Sequence, residues 1–297
     1  MLALDQTQAQ TRQHSVVDSI YNVWDIIAVL RSDIFYLDLK RRIIMAIKIM
    51  LDAGHAGKYN RSPVLRDYYE SDMTWKYHLK LKAELESYGF EVFTTRENKD
   101  KDMGLVDRGM SAKGCDMFIS LHSNGCNTES VDRVEVYYPM DGRNNSKSLA
   151  KEFATDVAVL MGVSTGKVKT KESKDYPGYE YYGVMRGADH VNVPLYFIIE
   201  HSFHTNLKAT KWLMDDSNLD KLAVLEAGII ADWYGYVKDV PGDVNGDGKV
   251  NTVDYMMIKR YVESKLTEEQ LKAADINNDG VVDEDDYTAV KNKALNK

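Results

Sequence analysis

Two twelve-residue stretches in the last fifth of the sequence carry oxygen-bearing side chains at matching positions. The stretches are "DVNGDGKVNTVD", residues 243–254, and "DINNDGVVDEDD", residues 275–286. Asp or Asn fills positions 1, 3, 5, 9 and 12 of both stretches, and Gly fills position 6. Alternating oxygen ligands, a glycine at the sharp turn and a final carboxylate are what a calcium loop requires. With position 7 binding through its backbone carbonyl, the predicted calcium ligands are Asp243, Asn245, Asp247, Lys249, Asn251, Asp254, Asp275, Asn277, Asp279, Val281, Asp283 and Asp286.

A solvated acidic turn is the alternative interpretation of either stretch, because Asp, Asn and Gly are common turn residues. The second stretch begins 32 residues after the first, and a repeat with matching ligand positions favours calcium. Each stretch runs into a helical pattern, and Thr267 is the predicted N-cap of a helix between them. Pro241 and Gly242 argue against a helix before the first loop. The sequence therefore predicts a small all-α domain with two calcium sites in residues 239–297.

Four ionisable residues stand at the ends of predicted elements further upstream. His55 follows the apolar segment "IMLDAG", His122 follows "MFISL", and Glu200 follows "VPLYFII". Glu70 precedes an amphipathic helix for which Ser71 is the predicted N-cap. Two histidines and one carboxylate suffice to hold a catalytic zinc ion with a water molecule as fourth ligand. A second carboxylate near that water is able to transfer protons, so these residue types are compatible with metal-assisted hydrolysis.

Structural roles are the alternative for each of these residues. A histidine at a strand end is more often a satisfied polar residue than a metal ligand. A carboxylate such as Glu70 is also favoured at a helix N-terminus by the helix dipole, and Glu200 is able to form an ion pair. Four other histidines compete as ligands, namely His78, His190, His201 and His204. Residue types and spacing alone leave the choice open.

The elements that must position these residues alternate between strand-like and helix-like segments. The predicted strands are "AIKIMLD", "FEVFTTR", "DMFISLH", "RVEVYYP" and "VPLYFIIE". Long helical patterns lie in "SDMTWKYHLKLKAELESYG", "NNSKSLAKEFATDVAVLMG" and "LDKLAVLEAGIIADWYGYV". This alternation predicts an α/β domain in residues 45–238, with an open, mostly parallel sheet covered by helices on both faces. Ligands of such sheets bind beyond the strand ends.

Composition narrows the function classes. The chain has 297 residues and a net charge of −8, and nothing in its charge pattern suggests nucleic-acid binding. Its two cysteines, Cys115 and Cys126, cannot build a disulfide framework. No apolar run reaches the length of a membrane span.

Residues 1–44 form an N-terminal extension with an uncertain place in the fold. They lack the basic start, apolar core and cleavage site of a secretion signal. The segment "MAIKIMLDAGHAG", which begins at Met45, reads as the start of a domain. One hypothesis is that Met45 is the initiator and that the extension does not belong to the natural product. The other is a pair of helices packed on the main domain.

Several motifs of the main domain resemble one enzyme family when they are taken in order. "LDAGHAG", "YGFEVFTTR", "DRGMSAKGCDMFISLHSNG" and "VPLYFIIEHSFHTN" resemble the zinc-dependent N-acetylmuramoyl-L-alanine amidases of the Amidase_3 family. The resemblance implies hydrolysis of the amide between N-acetylmuramic acid and L-alanine in peptidoglycan by zinc-activated water. It implies His55, Glu70 and His122 as zinc ligands, Glu200 as the catalytic residue and Asn124 as a residue of the substrate cleft.

His201 and Phe203 depart from the family's usual residues after the catalytic glutamate, which bears on the shape of the cleft. Two alternatives to the amidase remain at this point. One is a zinc peptidase that acts on the stem peptide, and the other is a non-catalytic module that binds the cell wall. The four matching metal and base positions argue against the second.

Residues 242–295 resemble a type I dockerin, a module that binds cohesin modules of scaffoldin proteins in cellulosome-like complexes. The family's partner-reading residues match Thr252 and Val253 in the first repeat and Glu284 and Asp285 in the second. Because the two pairs differ, binding in two orientations is not expected. Peptidoglycan and cohesin both lie outside the cytoplasm, so the expected location is extracellular or at the cell wall. Holin-type release or an incorrectly assigned start would account for the missing signal.

Overall fold

The computed structural model describes residues 46–236, 240–245, 250–259 and 266–295. The predicted N-terminal extension, residues 1–44, lies outside the described residues. Two of the predicted calcium ligands, Asp247 and Lys249, also lie outside them. By its contacts the chain divides into two units, Met1–Ala46 and Ile47–Lys297, and the description below concerns the second.

A six-stranded sheet forms the centre of the main domain. Its strands are β1 (Lys48–Ala53), β2 (Glu91–Thr94), β3 (Met117–Asn124), β4 (Arg133–Tyr137), β5 (Ser164–Lys169) and β6 (Leu195–Phe203). Their spatial order is β2-β1-β3-β6-β4-β5. Strands β2, β1, β3 and β6 are parallel, whereas β4 runs antiparallel to β6 and carries β5 parallel to itself. The predicted mostly parallel sheet is confirmed.

Helices cover both faces of this sheet. They are α1 (Glu70–Ser87), α2 (Leu105–Met110), α3 (Ser146–Met161), α4 (Gly183–His190), α5 (Leu207–Met214) and α6 (Asp216–Tyr234). Side chains alternate along a strand, so Ile49 and Leu51 of β1 belong to the larger core with α1, α3 and α6. Met50 lies between them in sequence and belongs to the smaller core on the opposite face, with α4. Burial on both faces explains why the central strands read as continuous apolar runs.

Helices α2 and α4 approach each other through glycine. A Cβ atom at Gly109 would lie 2.0 Å from the carbonyl oxygen of Val184, and one at Gly187 would lie 2.1 Å from that of Val106. Only residues without a side chain permit this spacing, since real Cβ contacts are never so short. The close contact fixes the N-terminal ends of the two helices, which border the cleft described below.

Three short helices lie in the part of the small C-terminal domain that the structure describes. They are α7 (Thr252–Lys259), α8 (Glu268–Ala274) and α9 (Glu284–Ala294). Val244, Ile258, Ala274 and Val290 form its buried core. Thr267 caps α8 in a reciprocal capping box with Gln270, which confirms the predicted N-cap. Across the described ranges of the chain, no helix is long and apolar enough to cross a membrane.

Candidate metal-dependent active site

Three predicted zinc ligands meet at one edge of the sheet. Ligand atoms of His55, Glu70 and His122 all lie within 4.8 Å of one another. His55 follows β1 in the left-handed backbone region (φ 60°), His122 lies in the neighbouring strand β3, and Glu70 is the first residue of α1. Parallel strands end at the same edge of a sheet, so the topology brings the two imidazoles together.

This donor set fits zinc in chemistry and in size. Two imidazole nitrogens and one carboxylate are a recurrent set of catalytic zinc ligands, and tetrahedral bonds of about 2.0 Å place ligand atoms ~3.3 Å apart. Glu70 Oε1 lies 2.8 Å from His122 Nδ1, and Glu70 Oε2 lies 3.3 Å from His55 Nε2. The assignment of these residues as zinc ligands stays a prediction, because their geometry shows only that they are assembled.

The carboxylate of Glu70 is buried and held by several donors. Its Oε1 accepts a hydrogen bond from the backbone N–H of Ser123 (3.0 Å), and its Oε2 accepts one from the side-chain amide of Asn60 (2.7 Å). Burial alone would raise the pKa of Glu70, but the hydrogen bonds to His122 and His55 outweigh it and hold the pKa well below the ordinary value. Glu70 is therefore ionised at neutral pH, as a metal ligand must be.

A buried polar chain supports His122 from behind. The Nε2 atom of His122 lies 3.1 Å from the hydroxyl oxygen of Ser120, and that hydroxyl donates to Asp52 at 2.7 Å. Asp52 pairs in turn with the buried guanidinium of Arg108 at 2.9 Å. Because the Ser120 proton goes to Asp52, the serine oxygen is free to accept from His122 Nε2–H. This arrangement leaves Nδ1 of His122 to face Glu70 Oε1, to which it is hydrogen-bonded at 2.8 Å, so Nδ1 is the nitrogen placed to bind a metal.

The turn before His55 requires glycine for steric reasons. A Cβ atom at Gly54 would lie 2.4 Å from Cε1 of His122 and 2.6 Å from the carbonyl oxygen of Leu121. The backbone N–H of Gly54 also donates to that carbonyl, at 3.1 Å. The backbone after β1 therefore passes directly against the His122 ring, which sets the separation of the two imidazoles.

Glu200 stands beside this group, on the strand next to His122. The two residues are register partners in the β3–β6 pair. The Glu200 side chain is buried, and its Oε2 has no hydrogen-bond partner among the residues that the structure describes. Burial raises the pKa of Glu200 to about 7, against the opposing effect of the His122 charge. A carboxyl with a pKa near neutrality is suited both to accept and to donate a proton.

A cleft of about 430 Å³ opens over these four residues. Its polar lining includes Asn60, Ser123, Asn124 and His204. Its apolar lining consists of Leu105, Tyr182, Val184 and Ile198. A concave site with a few convergent polar groups on an apolar wall is the usual form of a substrate pocket.

The four competing histidines lie outside the ligand group. His78 is buried against Trp75, and burial lowers its pKa to about 4. His201 bonds to Glu226 and to the backbone carbonyl of His122, and His190 is exposed at the end of α4. His204 lines the cleft, but its Nδ1 bonds to the carbonyl of Ser123 at 2.9 Å. It lies 3.8 Å from Glu70 Oε2, at the margin of the group.

Asn124, which the family resemblance assigns to the substrate cleft, lines the cavity above the candidate ligands, and its role there stays a prediction. Its side-chain amide donates to Glu135 at 3.2 Å. Asn60 and Tyr182 also contribute to the site, and sequence reasoning did not identify them. Asn60 lies in an irregular loop at φ 51°, and no periodic pattern marks such a position. Asparagine is enriched at positive φ, which is a weak signal at best.

The predicted calcium ligands bond to backbone N–H groups in this structure. In the second loop Asp286 accepts from the N–H groups of Ile276 (2.9 Å) and Asp283 (3.0 Å), and Asp275 accepts from Gly280 (2.9 Å). In the first loop Asp254 accepts from Asn251 at 2.7 Å. Within the described ranges, three histidine, cysteine or carboxylate ligand atoms gather only at His55, Glu70 and His122.

The four predicted cohesin-binding residues are exposed. Thr252 and Val253 begin α7, and Glu284 and Asp285 begin α9. Each pair directly precedes the buried carboxylate that ends its loop, Asp254 or Asp286. The two pairs therefore occupy equivalent positions in the two repeats.

Comparison with known proteins decides the family. Residues 49–231 match the family model described as N-acetylmuramoyl-L-alanine amidase. The chain belongs to this family. Residues 241–295 of the amidase match the dockerin type I domain. No curated protein sequence matches the chain.

Solved amidase structures share the fold of the main domain. An N-acetylmuramoyl-L-alanine amidase from Clostridium difficile 630 is 22% identical with a TM-score of 0.55, over 64% of this chain and 97% of that one. The catalytic domain of CwlV from Bacillus (Paenibacillus) polymyxa var. colistinus is 23% identical with a TM-score of 0.53, over 64% and 98%. AmiC2 of Nostoc punctiforme is 22% identical with a TM-score of 0.53, over 64% and 97%. At identities this low, the structural similarity establishes a shared fold and nothing further.

The comparisons confirm two predictions from the sequence, the amidase family and the dockerin module. By family the protein is a peptidoglycan amidase, and its dockerin supports docking to a cohesin.

Proposed function

We propose that this amidase hydrolyses the amide bond between N-acetylmuramic acid and L-alanine, with His55, Glu70 and His122 holding a zinc ion. The observation that supports the proposal is the juxtaposition of two side-chain groups. Three ligand atoms lie within 4.8 Å of one another, and beside them Glu200 lines the same cleft, with a buried Oε2 that has no hydrogen-bond partner among the described residues. The family description names the same substrate linkage.

Each residue has a defined task in this proposal. When bound, zinc would supply a lowered pKa for a water molecule and polarisation of the scissile carbonyl. Glu200 accepts a proton from the attacking water at Oε2, and the water oxygen forms a bond to the carbonyl carbon. Glu200 then returns the proton to the amide nitrogen of L-alanine as the carbon–nitrogen bond breaks. The products are a muramic acid carboxyl group and a stem peptide with a free amino group.

The surroundings of Glu200 suit this exchange of protons. A carboxyl with an ordinary pKa would be too weak a base to take a proton from the attacking water efficiently at neutral pH. Burial raises the pKa of Glu200 to about 7, toward the range in which a carboxyl is suited to accept a proton and to return it. Burial of the carboxyl causes this shift, and the buried side chains of Val184 and Ile198 line the same cleft.

The test is mass spectrometry of the products formed from purified muropeptide. We expect a free stem peptide that begins with L-alanine, its loss after zinc chelation and its return when zinc is restored. An intact muramic acid–alanine bond together with a cut stem would identify a peptidase instead. No cleavage by zinc-loaded protein would indicate a wall-binding module.

Two glutamine substitutions separate the metal ligand from the base. Glu200→Gln is expected to lower the rate by a factor on the order of 10²–10⁴ with zinc still bound. Glu70→Gln is expected to lose zinc and activity together, because it removes a charged ligand. Zinc content is measured by mass spectrometry of the metal. Undiminished activity in Glu200→Gln would refute its role.

The C-terminal module is proposed to bind two structural calcium ions and to dock the enzyme to a cohesin on a scaffoldin. Oxygen ligands at alternate loop positions are suited to calcium, and the exposed pairs at the starts of α7 and α9 are suited to contact a partner. Such docking places the enzyme outside the cytoplasm or at the cell wall. Titration with isolated cohesin modules, with calcium present and with calcium chelated, tests this part. Equal binding under both conditions would contradict it.

A further inference from the structure

The segment between β5 and α4 is rich in tyrosine and has no role in the mechanism above. Its sequence, "TKESKDYPGYEYY", covers residues 170–182 and contains four of the chain's 19 tyrosines. The segment folds as a hairpin. The N–H of Ser173 donates to the carbonyl of Tyr179 at 2.8 Å, and the N–H of Tyr181 donates to the carbonyl of Lys171 at 2.8 Å. Glu172 and Glu180 form an antiparallel bridge between these bonds. We call residues 170–182 the tyrosine arm.

The tyrosine arm is fixed to the main domain through Glu180. This side chain is 4% exposed and accepts hydrogen bonds from the N–H of Met140 (2.7 Å) and the hydroxyl of Tyr196 (3.2 Å). Arg186 donates to the backbone carbonyls of Glu180 (2.8 Å) and Tyr181 (2.6 Å). A ligand that binds the arm therefore loses little free energy to ordering of the loop.

The exposed face of the arm is aromatic. Successive side chains of an extended strand point to opposite sides, so burial of Glu180 directs Tyr179 and Tyr181 outward. Tyr179 and Tyr176 are each 60% exposed and Tyr181 is 46% exposed. Lys171 covers one face of the Tyr181 ring at 3.5 Å and restricts its motion. Rigid tyrosine rings give a large amphipathic contact area at low entropic cost.

The aromatic face continues into the catalytic cleft. Tyr182 lines the cleft together with Glu200. The Tyr181 and Tyr182 rings meet edge to face, with centroids 5.0 Å apart. Tyr182 contacts Tyr137 in the same manner at 4.8 Å. A substrate that extends from the cleft along this side therefore meets Tyr181 and then Tyr179.

We propose that the tyrosine arm is a subsite for the glycan strand, where sugar rings beyond the scissile bond stack on Tyr179 and Tyr181. The inference rests on the proposed amidase function. Such a substrate has a glycan on one side of the amide and a stem peptide with free carboxylates on the other. The exposed charges of the arm cancel, since Lys171 and Lys174 balance Glu172 and Asp175. A neutral aromatic surface suits the apolar face of a sugar ring rather than an anionic peptide.

The first experiment measures binding of peptide-free glycan strands of four or more alternating N-acetylglucosamine and N-acetylmuramic acid units to the full chain. These strands contain no scissile amide, so binding is measured without hydrolysis. The double variant Tyr179→Ala/Tyr181→Ala is expected to raise Kd about tenfold. The matched control Tyr179→Phe/Tyr181→Phe keeps the rings and is expected to stay within about twofold of the wild type. Equal affinity of the alanine variant and the wild type would overturn the proposal.

The second experiment compares KM for two soluble substrates with the same stem peptide. One carries a single disaccharide and the other carries a longer glycan. The alanine variant is expected to raise KM about tenfold for the longer substrate alone. An equal rise for both substrates would overturn the proposal and indicate contact with the stem peptide or a structural role. Glycan binding is measured without hydrolysis, so the two proposals fail separately. Glycan binding that depends on the tyrosines, without cleavage of the amide, would contradict the proposed function alone. Cleavage of the amide without an effect of the alanine variant on glycan binding would contradict this inference alone.

Discussion

The predicted zinc ligands of the amidase domain come from separate segments, whereas each predicted calcium loop of the dockerin is one run of twelve residues. The distributed site is held by partners other than a metal. Glu70 accepts hydrogen bonds from the backbone N–H of Ser123 and the side-chain amide of Asn60, and His122 Nε2 is hydrogen-bonded to the Ser120 hydroxyl. In the calcium loops, the acidic side chains bond to backbone N–H groups of their own loop. The first site is therefore assembled by the fold, and the second is expected to depend on its ion for its shape.

The largest expected effect comes from adding a side chain at Gly54, where the backbone passes directly against the His122 ring. In Gly54→Ala the new Cβ would lie 2.4 Å from the His122 ring and 2.6 Å from a backbone carbonyl. We expect zinc affinity to fall by more than about 100-fold and stability by about 1–3 kcal/mol. Competition with a chelator and thermal unfolding measure the two effects.

The matched control is Gly228→Ala, because a Cβ there meets only Tyr88 at an ordinary 3.9 Å. This helical substitution is expected to leave zinc affinity unchanged. If Gly54→Ala bound zinc as tightly as Gly228→Ala does, the close approach to His122 would have no part in forming the site.

Withdrawal of each metal in turn tests the comparison directly. A calcium-selective chelator is expected to remove about 2.7 kcal/mol of dockerin stability, relative to calcium at 100 times its Kd, and to leave hydrolysis of soluble muropeptide unchanged. Zinc withdrawal is expected to abolish hydrolysis while the main domain stays folded around its apolar cores. Calorimetry with two resolved transitions and product analysis check both outcomes. Loss of activity on calcium withdrawal, with zinc content intact, would show that the two regions are coupled.

Substitution of Ser120 tests whether residues behind the predicted ligands contribute to zinc affinity. Ser120→Ala removes the oxygen that accepts from His122 Nε2, and we expect zinc affinity to fall by about 10–100-fold. The control is Thr95→Val, which removes another buried hydrogen bond to the same Asp52 carboxylate, 2.6 Å long, without touching His122. Nitrogen NMR shifts of His122 report its tautomer in both variants. A similar loss of affinity in both would indicate general destabilisation rather than positioning.

The smallest expected effect concerns a buried carboxyl outside both metal sites. Burial raises the pKa of Glu180 to about 7 in the folded chain, above its ordinary value of 4.5. The folded state therefore holds this proton more tightly than the unfolded state, and stability is lost as pH rises between these values. Glu180→Gln keeps an oxygen for Met140 and Tyr196, and is expected to gain about 1–2 kcal/mol at pH 8 relative to pH 5.

Thermal unfolding of Glu180→Gln and wild type at the two pH values measures this gain. Glu172→Gln, an exposed glutamate on the same hairpin, is the control. An equal difference between Glu180→Gln and wild type at pH 5 and pH 8 would show that Glu180 is not protonated in the fold.

The contrast between the two regions also explains which elements and ligands can be predicted from the sequence and which cannot. Buried parallel strands appear in the sequence as apolar runs, so the order of strands and long helices can be predicted from it. The predicted loop ligands can also be found in the sequence, because they are contiguous. The patterns do not predict β5, whose segment "STGKVK" lacks an apolar run. They also miss α4, because its two glycines are poor helix formers and the helix depends on packing against α2.

The start of α1 shows how tertiary contacts override a local signal. Ser71 is the N-cap that the sequence predicts, but the helix begins at Glu70 with Tyr69 as N-cap. The Ser71 hydroxyl instead donates to the carbonyl of Gly57 at 2.6 Å and accepts from the N–H of Tyr59 at 2.9 Å. It thereby fixes the loop that carries Asn60, which a reading of neighbouring residues alone cannot foresee.

The different donor atoms of the two regions have a consequence for ion sorting. An enzyme outside the cell would meet zinc and calcium in the same medium, with calcium in large excess. Imidazole nitrogens such as those of His55 and His122 select zinc, because calcium prefers six to eight oxygen ligands. The oxygen-only loops offer no nitrogen to compete for the scarcer ion. With zinc and calcium bound as proposed, the donor atoms of this one chain would themselves direct each metal to its own site.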